Sequence, residues 1–323
     1  MKASQPPRFG IDLFAYWHPA VWNVSDVAEI AALGAAQPAE LWRRLLDLVE
    51  ESGVTAIEVT FAPFDWKTAC AAFGGSAGLR TELDSRGLTI CGGYLPQLEV
   101  PGALEDDNRG ALLDEVRGYT GFLAEMGATA LIGSAPARST RGSEPARFVD
   151  LAAVQRISDP LHEIGAAARE SGIDFGLHTE SHSMMWLPRD IELFMLATDP
   201  FYVGFCPDAG HITLGGGDPV AIARRYRDRL VSAHWKDAVS TISWSLPIDE
   251  SVHLAHRELC RVPGGGIVDW PAWASVMTDA GLTDPVLIEA DASGDPVTGI
   301  QSAVAYLTPL LEAPQSPAAH PAG

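Results

Sequence analysis

Eight short apolar runs alternate along this chain with longer stretches of helical period. The runs are Phe9–Phe14, Ala56–Phe61, Leu88–Tyr94, Ala128–Gly133, Ile173–His178, Tyr202–Pro207, Leu230–His234 and Pro285–Glu289. Each has strand length, and near-continuous apolarity marks strands covered on both faces, as in parallel sheets. Between them lie segments such as Ala39–Glu51, Asn108–Met126 and Val154–Ser171. In the second, Leu112, Leu113, Val116, Tyr119, Leu123 and Met126 recur at three- and four-residue steps, one apolar stripe on a helix. Gly53, Gly87, Gly127 and Gly172 each close a helical stretch just ahead of a strand, where a left-handed residue turns the chain. Eight such units predict a parallel sheet closed on itself, a (β/α)8 TIM barrel of α/β class in a single domain. A doubly wound open sheet is the alternative. It wants a GxGxxG-type phosphate turn after the first strand, and Asp12-Leu13-Phe14-Ala15-Tyr16 offers none.

The 323 residues suit one such barrel, which needs about 250, with loops and a tail to spare. The barrel is expected over 1–312, with the Pro/Ala-rich stretch 313–323 frayed. The 22 Lys+Arg against 42 Asp+Glu leave a formal charge of −20. That excess argues against nucleic-acid binding, which needs clustered cations, and against a polybasic membrane contact. No apolar run approaches the roughly 20 residues of a membrane span, and the first residues lack the apolar core of a secretory signal. Cys70, Cys91, Cys206 and Cys260 form no CxxC pair, so free thiols and a cytoplasmic location are expected. Two segments break the rhythm, Ser134–Asp150 and Ala238–Gly266. Both follow strands, and so belong to the C-terminal face where barrel sites are built.

The chemistry is written at the ends of the last four strands. Strand five ends His178-Thr179-Glu180-Ser181-His182, strand six Pro207-Asp208-Ala209-Gly210-His211, strand seven His234-Trp235-Lys236-Asp237 and strand eight Glu289-Ala290-Asp291. Each delivers a metal-competent side chain to one rim. Strand alternation puts His178 and Glu180 on the same side. Carboxylates with one or two imidazoles suit Mn²⁺, Mg²⁺, Co²⁺ or Zn²⁺, with Mn²⁺ favoured where substrate oxygens complete an octahedron. Tyr16, Trp17, Phe61 and Trp186, together with Phe14, Trp22, Phe64, Trp66, Met184 and Met185, are candidates for an aromatic entrance that grips a flat group. Asp237 reads as a helix N-cap, Gly264-Gly265-Gly266 as a flexible loop, and His253 and His256 as loop residues.

The series HTESH, VGFCPDAGH, GGGDPVAI, SAHWKD, RVPGGGIVDW and LIEAD resembles the xylose isomerase-like barrel superfamily of sugar isomerases and epimerases. Within it, the stretch 172–291 is most similar to the inosose dehydratase and C-glycoside deglycosidase α-subunit branch. The N-terminal half matches only in rhythm, in FGID and in Glu58-Val59-Thr60. The resemblance implies a divalent metal held by Glu180, Asp208, His234 and Glu289, with His178 the other candidate at strand five. It implies His182 or His178 as the proton-moving group, Lys236 as a donor to a substrate oxygen, and His211 as a hydroxyl contact or support for a ligand. The implied reaction is enolisation of a keto-sugar, keto-cyclitol or 3-keto-glycoside followed by β-elimination. Isomerisation or epimerisation through the same intermediate is the alternative, and a non-catalytic sugar-binding or assembly subunit is the third reading. The implied partners are a small carbohydrate or glycoside, and either further copies of the chain or a small β-rich subunit. An endonuclease IV-like role on the same fold would need a basic groove that a chain of this charge does not offer.

Overall fold

All eight apolar runs contribute a strand, each shorter than its run. They are β1 (Phe9–Asp12), β2 (Ala56–Val59), β3 (Thr89–Tyr94), β4 (Ala130–Ser134), β5 (Asp174–His178), β6 (Gly204–Cys206), β7 (His234–Trp235) and β8 (Val286–Ile288). This is a computed structural model that describes residues 6–100, 102–138, 149–243, 245–246, 248, 252–291 and 293–312, with 252–254 as backbone only. The expected frayed tail 313–323 and most of the Ser134–Asp150 loop lie outside the described residues.

Every ladder in the main sheet is parallel, in the order β6-β5-β4-β3-β2-β1-β8-β7. Two parallel bridges, Phe205 with Leu230 and Asp208 with His234, join the outer strands β6 and β7. The ring is thus complete, which is the expected (β/α)8 barrel. Its weakest seam lies at β6/β7, where Leu230 and His234 make single bridges instead of a ladder.

The helices form where the stripes and caps direct them. Pro38–Glu51 starts on a proline suited to the first helical turn and buries Leu41, Trp42, Leu45, Leu46 and Val49. Asp106–Met126 buries Leu112, Val116, Tyr119 and Leu123 from its stripe. Leu151–Arg169 begins at Asp150, whose carboxylate accepts from the Ala153 amide at 2.7 Å. Gly53, Gly87, Gly127 and Gly172 all take positive φ, between 67° and 82°, as turning residues there must. One apolar core between barrel and helices holds most buried side chains, and a small cluster of Ala130, Ile132 and Cys206 lies apart from it. The cysteines are unpaired. Among the described residues, no helix is long and apolar enough to cross a membrane.

The segment after β7 is ordered around one carboxylate. Asp237 is no helix N-cap. Its oxygens accept from the amides of Gly264 (3.1 Å), Gly266 (2.9 Å) and Val268 (3.2 Å) and from the Trp270 indole (2.7 Å). A Cβ on Gly266 would come within 2.3 Å of Asp237 Oδ1 and of the Ala238 carbonyl oxygen. The glycines therefore let backbone wrap a buried anion closely, and the expected flexible loop is a fixed one. His256 lies on the helix Val252–Leu259 and is buried, not in a loop; the side chain of His253 is outside the described residues.

Candidate metal centre and its cavity

The C-terminal ends of the strands surround a cavity of about 730 Å³. Its floor carries His178, Glu180, His211, His234, Lys236 and Glu289, and its wall Phe14, Phe61, Pro96, Met184 and Ile248. Both rhythm-breaking segments reach it, through Ala135–Arg138 on one side and His256 and Arg257 on the other.

Beneath the floor, His178, Asp208, His234 and Glu289 bring one ligand atom each to within 4.8 Å of one another, and all four are buried. Local structure aims each of them. Asp208 caps the short helix Ala209–Leu214: Oδ1 accepts from the His211 amide at 2.6 Å, and its own amide donates to Thr179 Oγ1 at 2.8 Å. That leaves Oδ2 turned to the cluster. Glu289 follows β8, with Oε1 held 2.5 Å from Lys236 Nζ and Oε2 2.5 Å from His234 Nδ1. On the other side of His234, Nε2 pairs with Glu58 Oε2 at 3.0 Å. The Nε2 of His178 faces Glu289 Oε2 at 3.5 Å and Asp208 Oδ2 at 3.8 Å.

The group fits a divalent cation on two counts. His178 Nε2 and Asp208 Oδ2 are buried without a hydrogen-bond partner among the described residues, which two polar atoms inside a protein rarely tolerate. In addition, the carboxyl groups of Asp12, Glu58, Glu180, Asp208, Glu289 and Asp291 lie around the floor, where Lys236 brings an ammonium. Two imidazoles and two carboxylates around M²⁺ are charge-neutral and suit borderline ions. Glu58 Oε2 and His234 Nε2, 3.0 Å apart, are likewise buried without a hydrogen-bond partner among the described residues.

Electrostatics follow the burial. Burial pushes the Glu289 carboxyl up, but Lys236 and His234 outweigh it and hold it well below the usual range. Burial also lowers His178, yet Asp208 and Glu289 more than reverse this and raise it to about 10 in the metal-free protein. Glu180 is pushed well above the ordinary carboxylate range by burial, opposed by Lys236 and His178. His211 is driven well below the usual imidazole value, first by burial and then by Lys236.

Of the two strand-five candidates, the geometry favours one. His178, not Glu180, stands in the four-atom group. Glu180 lies on the other face of the imidazole, 3.8 Å from His178 Nδ1 and 3.2 Å from His211 Nε2, with its side chain 26% exposed to the cavity. The two inward positions of the strand are separated by depth: His178 ends the ladder and Glu180 is one layer above. Lys236 is at the floor, but its ammonium is engaged by Glu289, by Asp291 at 3.1 Å and by His211 Nε2 at 2.9 Å. A lysine with three partners is a structural cation more than a donor to substrate. His211 sits between Lys236 and Ser181 Oγ (2.8 Å) and faces the cavity. His182 is on the rim with both ring nitrogens engaged, Nδ1 with His256 Nε2 at 3.1 Å and Nε2 with the Ser243 carbonyl at 3.2 Å.

The aromatic entrance is smaller than expected. Phe14, Phe61 and Met184 line the cavity. Tyr16 is core, fully buried with its hydroxyl on Ser52 Oγ at 2.8 Å. Trp17 packs edge-on against Phe61 and Phe64 behind the wall. Trp186 is fully buried and donates to the His211 carbonyl at 2.9 Å. Tyr16 and Trp186 are drawn wholly inward and Trp17 is half-buried, so the three support the wall without lining the cavity. Sequence reasoning missed Asp12 and the part played by Glu58. The available signal was a carboxylate inside an apolar strand, which has to find a partner once buried.

The signature of the xylose isomerase-like TIM barrel family matches residues 46–310. An inosose dehydratase from Lacticaseibacillus casei is 28% identical over 208 residues, 60% of this chain and 69% of that one. A solved L-ribulose 3-epimerase superposes with a TM-score of 0.65 at 15% identity, covering 95% of each chain. A xylose isomerase-like TIM barrel protein from Mycobacterium smegmatis, solved in complex with magnesium, gives a TM-score of 0.65 at 18% identity over 95% of this chain and 98% of that one. The family signature runs from the helix ahead of β2 into the last helix, Pro296–Glu312, and so takes in seven of the eight strands and the whole metal-competent cluster. The chain belongs to the xylose isomerase-like TIM barrel family.

Proposed function

We propose that this chain is a divalent-metal-dependent lyase that enolises a keto-sugar, keto-cyclitol or 3-keto-glycoside and then expels a β-substituent. The observation that carries the reading is the buried group of His178, Asp208, His234 and Glu289, with two unpartnered ligand atoms, under an open cavity. These four residues would hold the cation, with Mn²⁺ the favoured ion and Mg²⁺, Co²⁺ or Zn²⁺ compatible with the donors. Such an ion supplies Lewis-acid polarisation of a substrate carbonyl and its neighbouring hydroxyl.

Proton movement falls to Glu180. It faces the cavity beside the cluster, and burial makes it a stronger base than an ordinary carboxylate. Glu180 takes the proton α to the carbonyl, and the C–H electron pair becomes the enolate of the substrate. That pair then forms the new double bond as the β-substituent leaves with its bonding electrons. The proton on Glu180 passes to the departing group, which balances the step. His211, neutral, is held on both ring nitrogens, Nδ1 by Ser181 and Nε2 by Lys236, and fixes the floor beside Glu180. A cavity of about 730 Å³ is within the range of sites that enclose drug-sized ligands, which leaves room beyond one sugar ring. The wall of Phe14, Phe61, Pro96, Met184 and Ile248 would receive an apolar aglycone, so glycosides are favoured over bare cyclitols. The solved epimerase neighbour supports a second reading, in which the same enolate is reprotonated on its other face.

One experiment separates these. The protein is loaded with Mn²⁺ and incubated in D₂O with keto-inositols, 3-keto-glycosides and ketoses. Released aglycone or an unsaturated product supports elimination, and deuterium at carbon in an epimeric product supports the second reading. No exchange with any of the three classes sinks both. Glu180→Gln should retain the metal and lose about 10²–10⁴-fold in turnover.

A further inference from the structure

Three arginines, Arg138, Arg156 and Arg257, line the cavity whose floor is acidic. On the outer helices Arg86 shows how the chain satisfies a guanidinium, with Asp47, Glu50 and Glu82 around it. In the cavity such matching stops short. Arg138 is wholly buried, and its Nη2 lies 3.0 Å from Asp190 Oδ2. That carboxylate is shared, because it also accepts from the Leu187 amide and from Arg189. Nε and Nη1 of Arg138 are buried with no partner among the described residues. Arg257 is half-buried, and its Nε is buried without one as well. Among the described residues, no carboxylate pairs with Arg257 or with the exposed Arg156. Other carboxyl groups of the lining are committed: Glu99 takes the Tyr94 hydroxyl, Asp150 the Ala153 amide, and Glu289 and Asp291 hold Lys236.

His182 ties two of these arginines to one part of the rim. The Arg138 amide donates to the His182 carbonyl at 3.0 Å. Arg257 follows His256 on the helix Val252–Leu259, and His256 Nε2 lies 3.1 Å from His182 Nδ1. Arg156 comes from the helix Leu151–Arg169, one turn beyond Ala153, which also lines the cavity. The cavity is thus polarised. Its floor gathers carboxyl groups and metal-competent imidazoles, its wall is apolar, and its rim carries guanidinium groups with N–H donors to spare. A buried donor left unmet is costly, and a carboxylate is the acceptor best matched to a guanidinium.

We propose that Arg138 and Arg257, with Arg156 in support, form an anion subsite at the rim that receives a carboxylate on the far end of the substrate. The substrate assignment rests on the lyase reading above and deepens it: the class is a 3-keto-glycoside whose apolar aglycone carries an acid. The sugar end meets the floor, the aglycone lies along Phe61 and Met184, and the acid reaches the arginines. The opposite charges of floor and rim then fix which way round the ligand enters.

The test uses the full chain with naphthalene-2-carboxylate as the probe and naphthalene-2-carboxamide as its neutral match. Titrations are run after chelation of divalent ions, so that no cation at the floor holds the acid. The wild type is expected to bind the carboxylate about tenfold more tightly than the amide, or better. Arg257→Gln should cut carboxylate affinity by about tenfold and leave the amide within about twofold. Arg156→Gln, at an exposed position, should cut it by about two- to threefold. Arg138 is buried, so Arg138→Gln is judged by the ratio of carboxylate to amide affinity, which a partial loss of folded protein would not move. Equal affinity for the two probes in the wild type, binding of neither, or equal losses of both in Arg257→Gln overturns the subsite. The Mn²⁺-loaded protein is then given 3-keto-glycosides with and without a carboxylate on the aglycone. A preference of about tenfold in kcat/KM for the acid, lost through KM in Arg257→Gln, supports the substrate class. If the probes are distinguished but neither glycoside is consumed, the lyase reading fails and the anion subsite stands. If both glycosides are consumed alike and the probes are not distinguished, the subsite fails and the lyase reading stands.

Discussion

Two histidine pairs share the mouth of this barrel and differ in what their nitrogens face. At the floor, the rings of His178 and His234 are 4.6 Å apart and look onto Asp208, Glu289 and Glu58. At the rim, His182 and His256 stack at 5.3 Å, with His182 also 4.3 Å from the Trp186 ring. The rim nitrogens face each other and a backbone carbonyl. The floor leaves Nε2 of His178 buried and unpartnered beside an unpartnered carboxylate oxygen. Close imidazoles do not make a metal site. Converging lone pairs with surplus negative charge do, because an unmet buried acceptor is expensive until a cation meets it.

Removing a floor ligand should break the comparison most severely. Asp208→Ala takes away one of four ligands and should lower cation affinity by about 10³-fold, a share of the roughly 10–16 kcal/mol that such sites hold. Turnover should disappear with it. Calorimetric titration with Mn²⁺ or Zn²⁺ checks this, and wild-type affinity in the variant would falsify the cluster as the binding site. The next effect is pH. Without metal and against the effect of burial, Asp208 and Glu289 push His178 up to about 10, and Glu58 and Glu289 help hold His234 well above the usual imidazole value, whereas the ion needs both rings neutral. At neutral pH each unit of rise should therefore strengthen binding by about ten- to a hundredfold, with one to two protons released on binding. Titrations in buffers of different ionisation enthalpy measure those protons, and a flat profile from pH 6 to 8 contradicts the linkage. The smallest effect belongs to the rim. His182 has φ of 64°, a conformation that asparagine accepts better than alanine. His182→Asn should leave metal affinity within about threefold of wild type. A loss comparable to that of Asp208→Ala would mean that floor and rim form one site.

The C-terminal half was far more legible than the N-terminal half. Asp208, His234 and Glu289 each end a strand beside a recognisable turn, so their shared rim followed from barrel topology alone. Asp12 and Glu58 sit inside apolar strands, where the sequence shows no companion. Asp237 looked like a cap because an Asp after a strand often is one. Its five donors are the Ala238 amide and four groups of the 264–270 stretch, and these meet only when the loop folds back. Tyr16 and Trp186 were legible as aromatic but not as buried, and Trp17 not as standing behind the wall.

The alternation of strand and helix was enough to determine the barrel, since period and turn chemistry are local properties carried by neighbouring residues. Strand order then determined which face bears the chemistry. Only the tertiary structure decided that His178 joins the cluster and Glu180 stands above it. Two residues on one face of a strand have the same pattern in sequence, and their depth depends on where the ladder ends and on what the facing strands β6 and β8 place opposite. The contacts that join Glu99 and Tyr94 with Ser134 and His178 are likewise tertiary, because these stretches lie far apart in the chain and meet only where the strands end side by side.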